Sequence, residues 1–433
     1  MELGCKRLCV QNDGTYLCSN DGVNQQSQLV GCHSKIDIPS AEKLLSKEKL
    51  DDQTENIDKV KQAIKSKHAT LVLGAGVSIP VNMPDWVGLV SRMSGYAFQY
   101  QDYKGREYPE ETRAQILRIE KELILGKLKI LNGVNVLEAA QYVLDAIGSV
   151  TGGQSGNEVI KEVISAIIDN SEKPCEFLKS WQEKHPDCNL STHDLRSVAE
   201  ECTLSAVAYL LQMPEGEGLR RVLTYNYDTL VQEYLISLFG VSEDRIITHV
   251  EGWTTVNSYI EDPIEVFHLH GCVPRPELRN RPPAFPDESE QLILSEDSYY
   301  DTERYEAYNW QNSIQSYHMN RDNCIFVGFS ADDYNFRRIL RQLGSRTNNR
   351  PKHYLILTID QLARDIWESV CQSHITDNTM PEELRKDTIV LLNRELDMKE
   401  IYWHDYGFYP IWVTIQDIPK LLLSFSDDSP PKE

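Results

Sequence analysis

Residues able to do chemistry collect in four short segments of this chain, each following a run of apolar residues. The first is Gly74-Ala75-Gly76-Val77-Ser78, after Thr70 to Leu73, with Met83-Pro84-Asp85-Trp86 close behind. Glycines at such a turn let the backbone approach a phosphate, and a helix N-terminus after the turn would hold its charge. Ile79 stands where the dehydrogenase fingerprint has a third small residue, and no Lys-Ser or Lys-Thr follows to make a P-loop. Taken alone, the segment reads equally as a tight strand-to-helix turn without a ligand.

The second segment, Thr224-Tyr225-Asn226-Tyr227-Asp228, follows the run Arg221 to Thr224 and precedes amphipathic helical text from Thr229 onward. In an open α/β sheet, ligands bind outside the carboxyl ends of the strands, which is where Asn226 and Asp228 fall. Asp228 could simply cap the helix. Capping leaves Asn226 unexplained. The third segment is His268-Leu269-His270-Gly271. The period of a strand points both imidazoles to one face. A metal could use such a pair, but only Cys272 stands nearby as a further ligand. His270 is better used as a general base, because imidazole titrates near working pH, and His268 reads as a hydrogen-bonded structural residue. The fourth segment is Gly328-Phe329-Ser330, with Asp332 and Asp333 after it.

The elements that must position these residues follow from hydrophobic period. Strands are predicted at Thr70 to Leu73, Arg221 to Thr224, Val266 to Leu269, Ile325 to Val327, Tyr354 to Leu357 and Ile401 to Trp403. A short helix, Ile57 to Ser66, leads into the first. Strands alternating with helices predict an α/β fold with a doubly wound, mostly parallel, Rossmann-like sheet. Between about residues 96 and 213 helix-period text takes over, at Ala114 to Leu125, Val136 to Ile147, Val159 to Ile168 and Leu195 to Leu211, interrupted by a glycine-rich loop from Gly148 to Gly156. That stretch is expected to be a helical insertion in a catalytic domain spanning 51–425. Residues 1–50 form a cysteine-containing appendage, and 426–433, with Pro430 and Pro431, a disordered tail.

A chain of 433 residues can bury its own core without disulfides or metal. Its 66 acidic and 44 basic residues give a net charge of −22, which disfavours direct nucleic-acid binding, since phosphate contacts rest on cationic side chains. Cys5, Lys6, Arg7 and Cys9 stand where a signal peptide needs an apolar core, and no run nears the roughly 18 apolar residues of a membrane span. A cytoplasmic protein is expected, with its ten cysteines mostly reduced. Cys5, Cys9, Cys18 and Cys32, with His33, could bind zinc, although their spacing is not of the paired CxxC type.

The four segments, in this order, resemble the sirtuin signature. Gly74 to Ser78, Pro84 to Trp86, Thr224 to Asp228, His270-Gly271 and Gly328 with Ser330 match it over about Ala69 to Trp403. The resemblance implies NAD as substrate. It places Gly74, Ala75, Gly76 and Ser78 at the diphosphate, with Thr224 among the cofactor-binding residues. Asp85 and Trp86 fall near nicotinamide, Asp228 on the carboxamide or ribose, and Gly328, Ser330 and Asp333 on the adenosine side. Asn226 would position an attacking water, with His270 activating it or the ribose hydroxyls. The chemistry requires no metal.

Sirtuin deacylases carry a zinc ribbon of two CxxC pairs after the histidine-glycine motif, whereas this chain has no cysteine between Cys272 and Cys324. The His268-Leu-His270-Gly wording and the helical stretch look more like sirtuin-like NAD hydrolases of bacterial anti-phage systems. These deplete the cofactor in abortive infection. Because the sirtuin-like text runs almost to the last residue, the resemblance implies a stand-alone effector triggered by another protein, such as a HerA-type ATPase from the same operon. It also implies a homo-oligomer, for which the helical insertion offers surface. The alternatives are a protein deacylase or ADP-ribosyltransferase on the same NAD site and, from another class, a non-catalytic NAD-sensing scaffold.

Overall fold

The computed structural model describes strands β1 (Leu8–Val10) and β2 (Tyr16–Cys18) and most of residues 41–426. Outside the described residues lie mainly 1–7, 11–15, 19–40, 94–135, 151–155, 187–191, 252–259, 300–308, 330–333, 344–350, 368–381 and 427–433. The predicted helix at Ala114 to Leu125, the C-terminal tail, and Cys5, Cys32 and His33 therefore fall outside them.

Seven parallel strands form one sheet in the order β5-β6-β4-β3-β7-β8-β9. They are β3 (Ala69–Leu73), β4 (Arg221–Thr224), β5 (Ile246–His249), β6 (Ile264–His268), β7 (Asn323–Val327), β8 (His353–Thr358) and β9 (Phe408–Val413). Each is short and mostly buried, as expected when helices cover both faces of a parallel sheet. The strands after β3 fall on one side of it as far as β6 and on the other from β7. The reversal makes the carboxyl end of β3 the switch point at which such sheets bind ligands.

The chain divides into two compact units. One comprises Met1–Ser19, Leu73–Ser191 and Arg221–Gln315, the other Asn20–Val72, Thr192–Arg220 and Ser316–Glu433. In the first unit, β4 runs beside β6 with Thr224 opposite His268, and β6 beside β5 with Phe267 opposite His249. Helices α3 (Val136–Val150) and α4 (Gly156–Asp169) contribute Val143, Ile160, Ile164 and Ile167 to an apolar cluster that also takes in Leu89, Met93, Val273 and Leu294. Helix α5 (Pro174–Lys184) sets Phe177 against Tyr234 of α8 (Leu230–Phe239), with ring centroids 5.6 Å apart.

In the second unit, α1 (Ala41–Leu44) and α2 (Lys47–Lys65) precede β3, and α6 (Thr192–Ala199) and α7 (Thr203–Gln212) precede β4. Arg220 closes the end of α7 by donating to the carbonyls of Leu211 at 2.9 Å and Met213 at 2.5 Å. Those carbonyls lie beyond the reach of the helix's own amides. Helix α9 (Trp310–Arg321) begins in the first unit and enters the second at Ser316, where α10 (Tyr334–Leu343), α11 (Glu382–His404) and α12 (Ile418–Leu423) follow.

Several sequence expectations change. Ile401 to Trp403, expected as a strand, is the last turn of α11, and the strand is Phe408–Val413. Three consecutive bulky apolar residues read as β because α11 buries Trp403 while exposing Ile401 and Tyr402. Pro410 is tolerated in β9 because that strand is the sheet's edge. Strand β5 was not foreseen. The single helix expected over Leu195 to Leu211 is two, broken at residues 200–202, where Cys202 caps α7 with its sulfur 3.4 Å from the Ser205 amide. No described helix is long and apolar enough to cross a membrane.

Candidate functional site

The backbone leaves β3 through Gly74, extended at φ −114°, into two successive 3-10 turns, Ala75–Val77 and Ile79–Val81, and then Asn82 in the left-handed region. The α-helix N-terminus expected after the glycine turn is thus absent here. Pro80 and the left-handed Asn82 end the coil before it can propagate. Helical residues begin at 86, where Asp85 caps them by accepting from the Gly88 amide at 2.7 Å. Asp85 is exposed, and Trp86 packs against the apolar cluster of α3 and α4 beside Met83 and Tyr227.

Asn226 links this loop to the β4 segment. Its amide nitrogen donates to the Gly74 carbonyl at 3.1 Å and the Ser78 hydroxyl at 3.3 Å. A backbone carbonyl can only accept, so the nitrogen, and not the oxygen, faces Gly74. The Asn226 backbone N–H donates to the Thr224 hydroxyl at 3.1 Å, and the Tyr225 amide donates to the Leu73 carbonyl at 3.0 Å. Gly74, Ser78, Asn226 and Asp228 are all buried.

Asp228 accepts from the Leu230 amide at 3.2 Å, one residue ahead of Thr229, the N-cap of α8, and also from the Ser78 hydroxyl. Burial pushes its carboxyl up to about 6, against the pull of those donors and of the Arg275 charge. Arg275, only 2% exposed, reaches Glu233 of α8 at 2.7 Å, the Ile168 carbonyl at the end of α4 at 2.5 Å, and the Ser171 hydroxyl at 2.7 Å.

The two histidines differ in their surroundings. His268 is fully enclosed: Nδ1 lies 3.2 Å from the Asn226 carbonyl and Nε2 2.9 Å from the Gln232 amide nitrogen. Burial pushes its pKa down to about 4, so it is neutral, donating through Nδ1 and accepting at Nε2. His270 leaves the same sheet edge as Asn226, each two residues beyond the paired Thr224 and His268. Its ring stands edge-on to Tyr225 at 4.9 Å and Tyr299 at 5.7 Å, and lies 6.5 Å from Tyr227. Tyr225 donates its hydroxyl to Gln315 at 2.5 Å, and Tyr227 donates to the Ile293 carbonyl at 2.6 Å.

The structure therefore brings Gly74, Ser78, Thr224, Asn226, Asp228 and His270 to one edge of the first unit, with Ala75 and Gly76 half-buried in the same loop. Gly328 lies at the end of β7 in the second unit, at φ +62°, a conformation for which glycine is the default residue. Ser330 and Asp333 lie outside the described residues. The tyrosines around His270, the Arg275–Glu233 pair and the Gln232–His268 contact escaped sequence reasoning. Only the repeated tyrosine of Tyr225-Asn-Tyr227 hinted at any of them. Among the described residues no group of His, Cys, Asp and Glu could hold a metal.

The polar cluster lies at the carboxyl edge of a parallel, Rossmann-like α/β sheet, the place where open sheets of this kind bind ligands. Residues 220–375 match the family described as SIR2-like domain, and this points to an NAD-dependent enzyme. The match contains Asn226, Asp228, His270 and Gly328, while the Gly74–Ser78 loop precedes it. A search of curated proteins returned no match.

Proposed function

We propose that this chain hydrolyses NAD to nicotinamide and ADP-ribose. The observation that carries the reading is the single polar cluster formed when Asn226 and Asp228 both engage Ser78, locking the post-β3 loop to the Asn-x-Asp segment beside His270. Both hydrogens of the Asn226 amide are directed at the loop, so its carbonyl oxygen is the atom suited to accept from a water. The ribose C1′–nitrogen bond breaks, and the electron pair leaves with nicotinamide, which becomes neutral. Water oxygen bonds to C1′ and loses its proton to His270, which passes it to solvent. Orientation of water and sugar supplies much of the rate, and His270 the remainder.

The diphosphate would lie along Gly74, Ala75 and Gly76. The sirtuin resemblance, not a placed geometry, assigns the adenosine side to Gly328, Ser330 and Asp333 and nicotinamide to Trp86 and Asp85. Our reading also takes in a cytoplasmic protein in anti-phage defence, with a catalytic domain over 51–425 and an activating partner encoded beside it. The test is to incubate the purified chain with NAD, alone and with its genomic neighbour's product, and follow free nicotinamide. Release that Asn226→Ala abolishes is expected. Label from NAD appearing on protein, or on an acyl-lysine peptide's acyl group, would replace hydrolysis with group transfer. No turnover under either condition would leave an NAD-sensing scaffold.

A further inference from the structure

Helix α11 has two apolar faces. Leu392, Leu396 and Trp403 are buried, the first two in a cluster with Leu44, Leu45, Ile359, Ala363 and Trp412 of the same unit. On the opposite side Val390, Leu391, Met398, Ile401 and Tyr402 are between 44 and 65% exposed. At about 100° per residue, all five fall in a sector of roughly 120° centred opposite the buried face. A helix with one packed face should present charge to solvent on the other, so this stripe requires an explanation.

Its arrangement is close to self-complementary. Val390 and Leu391 form one apolar end and Ile401 and Tyr402 the other, with Arg394 and Asp397 exposed between them on either side of the midpoint. A two-fold axis crossing the helix near residues 395 and 396 would set Val390 and Leu391 against Ile401 and Tyr402 of a second copy. It would also set each Arg394 against the other copy's Asp397. Asp397 remains 60% exposed while paired with Lys49, whose second partner is Glu400. The five apolar side chains offer on the order of 500 Å² per copy, so a pair would bury roughly 1,000 Å², the lower bound of a specific interface.

We infer that α11 is a homodimer surface, two copies pairing antiparallel through Val390, Leu391, Met398, Ile401 and Tyr402 with reciprocal Arg394–Asp397 contacts. The inference is independent of the NAD reading, and it assigns self-association to α11 instead of to the helical stretch of residues 96–213. An isologous contact of this kind closes on itself and gives a discrete dimer, or one axis of a larger closed assembly.

The full chain is followed by sedimentation over the micromolar range, with thermal melting as the folding control. Wild type should associate, and Leu391→Asp and Ile401→Asp should each weaken that association by roughly ten- to a hundredfold without lowering the melting temperature. Arg394→Asp alone and Asp397→Arg alone should each be monomeric, because like charges then face one another. Mixed together, those two variants should form a heterodimer, since the two introduced side chains then face one another with reversed sign while the second contact keeps its native Asp397–Arg394 pair. A monomeric wild type, an assembly that Leu391→Asp leaves intact, or a mixture that stays monomeric would each overturn the proposal.

Discussion

Asn226, His270 and His268 lie within a few residues of one another along two paired strands, yet their surroundings differ and the proposed hydrolysis gives them different tasks. Asn226→Ala and His270→Ala should each remove most nicotinamide release, loss of a general base being worth about a hundred- to ten-thousand-fold. His268→Gln should cost far less, since a glutamine can still bond to the Asn226 carbonyl. A dead His268→Gln with an active His270→Ala would reverse the two assignments. The buried groups also set opposing pH dependences of stability. Asp228, raised to about 6, contributes stability that is complete below about pH 4 and lost as pH rises through 6. His268, depressed to about 4, contributes stability present above about pH 6.5 and lost as pH falls through 4. The two partly cancel in the wild type. Melting measured between pH 4 and 8 should therefore show Asp228→Asn gaining on wild type as pH rises, and His268→Gln gaining as pH falls. Parallel curves for all three proteins would contradict both assignments.

At the level of elements, Arg275 ties the chain after the histidine-glycine segment to α8 through Glu233 and to the end of α4 through Ile168. Removing one charge of a buried pair leaves the other uncompensated, so Arg275→Ala should destabilise by about 3–5 kcal/mol. Replacing both, as Arg275→Met with Glu233→Leu, should recover most of that in a denaturant titration. A double variant no more stable than the single one would make Arg275 important for its carbonyl contacts instead. None of this was legible in the sequence, because a charge pair 42 residues apart leaves no local pattern. Strands β3 and β4 were legible, each being an unbroken apolar run ended by a turn residue, and so were the Asn226 and His270 positions at strand ends. What misled was α11, where two apolar faces erase the helical period and make Ile401 to Trp403 look extended. The 3-10 turns after Gly74 were equally invisible, since Gly-Ala-Gly suits any tight turn.

On the scale of the whole molecule, substrate choice can be tested by what the chain lacks. With no cysteine between Cys272 and Cys324 there is no sequence for a paired-CxxC ribbon after His270-Gly271, and acyl-lysine peptides are expected to go unprocessed. Robust NAD-dependent deacetylation of a peptide panel, lost in Asn226→Ala, would show that the ribbon is dispensable. The division into interleaved units bears on how the gene can be dissected. Each unit is assembled from three separate stretches, so the chain passes between them repeatedly, and no single cut frees either one. The stretch that matches the SIR2-like family, 220–375, starts at β4 and leaves behind β3, the strand that sits between β4 and β7 in the sheet. The segment that matches the family model and a segment able to fold alone are therefore not the same stretch of this polypeptide. A clone bounded by the match would encode strands with no centre to assemble on, and its product should show no cooperative melting.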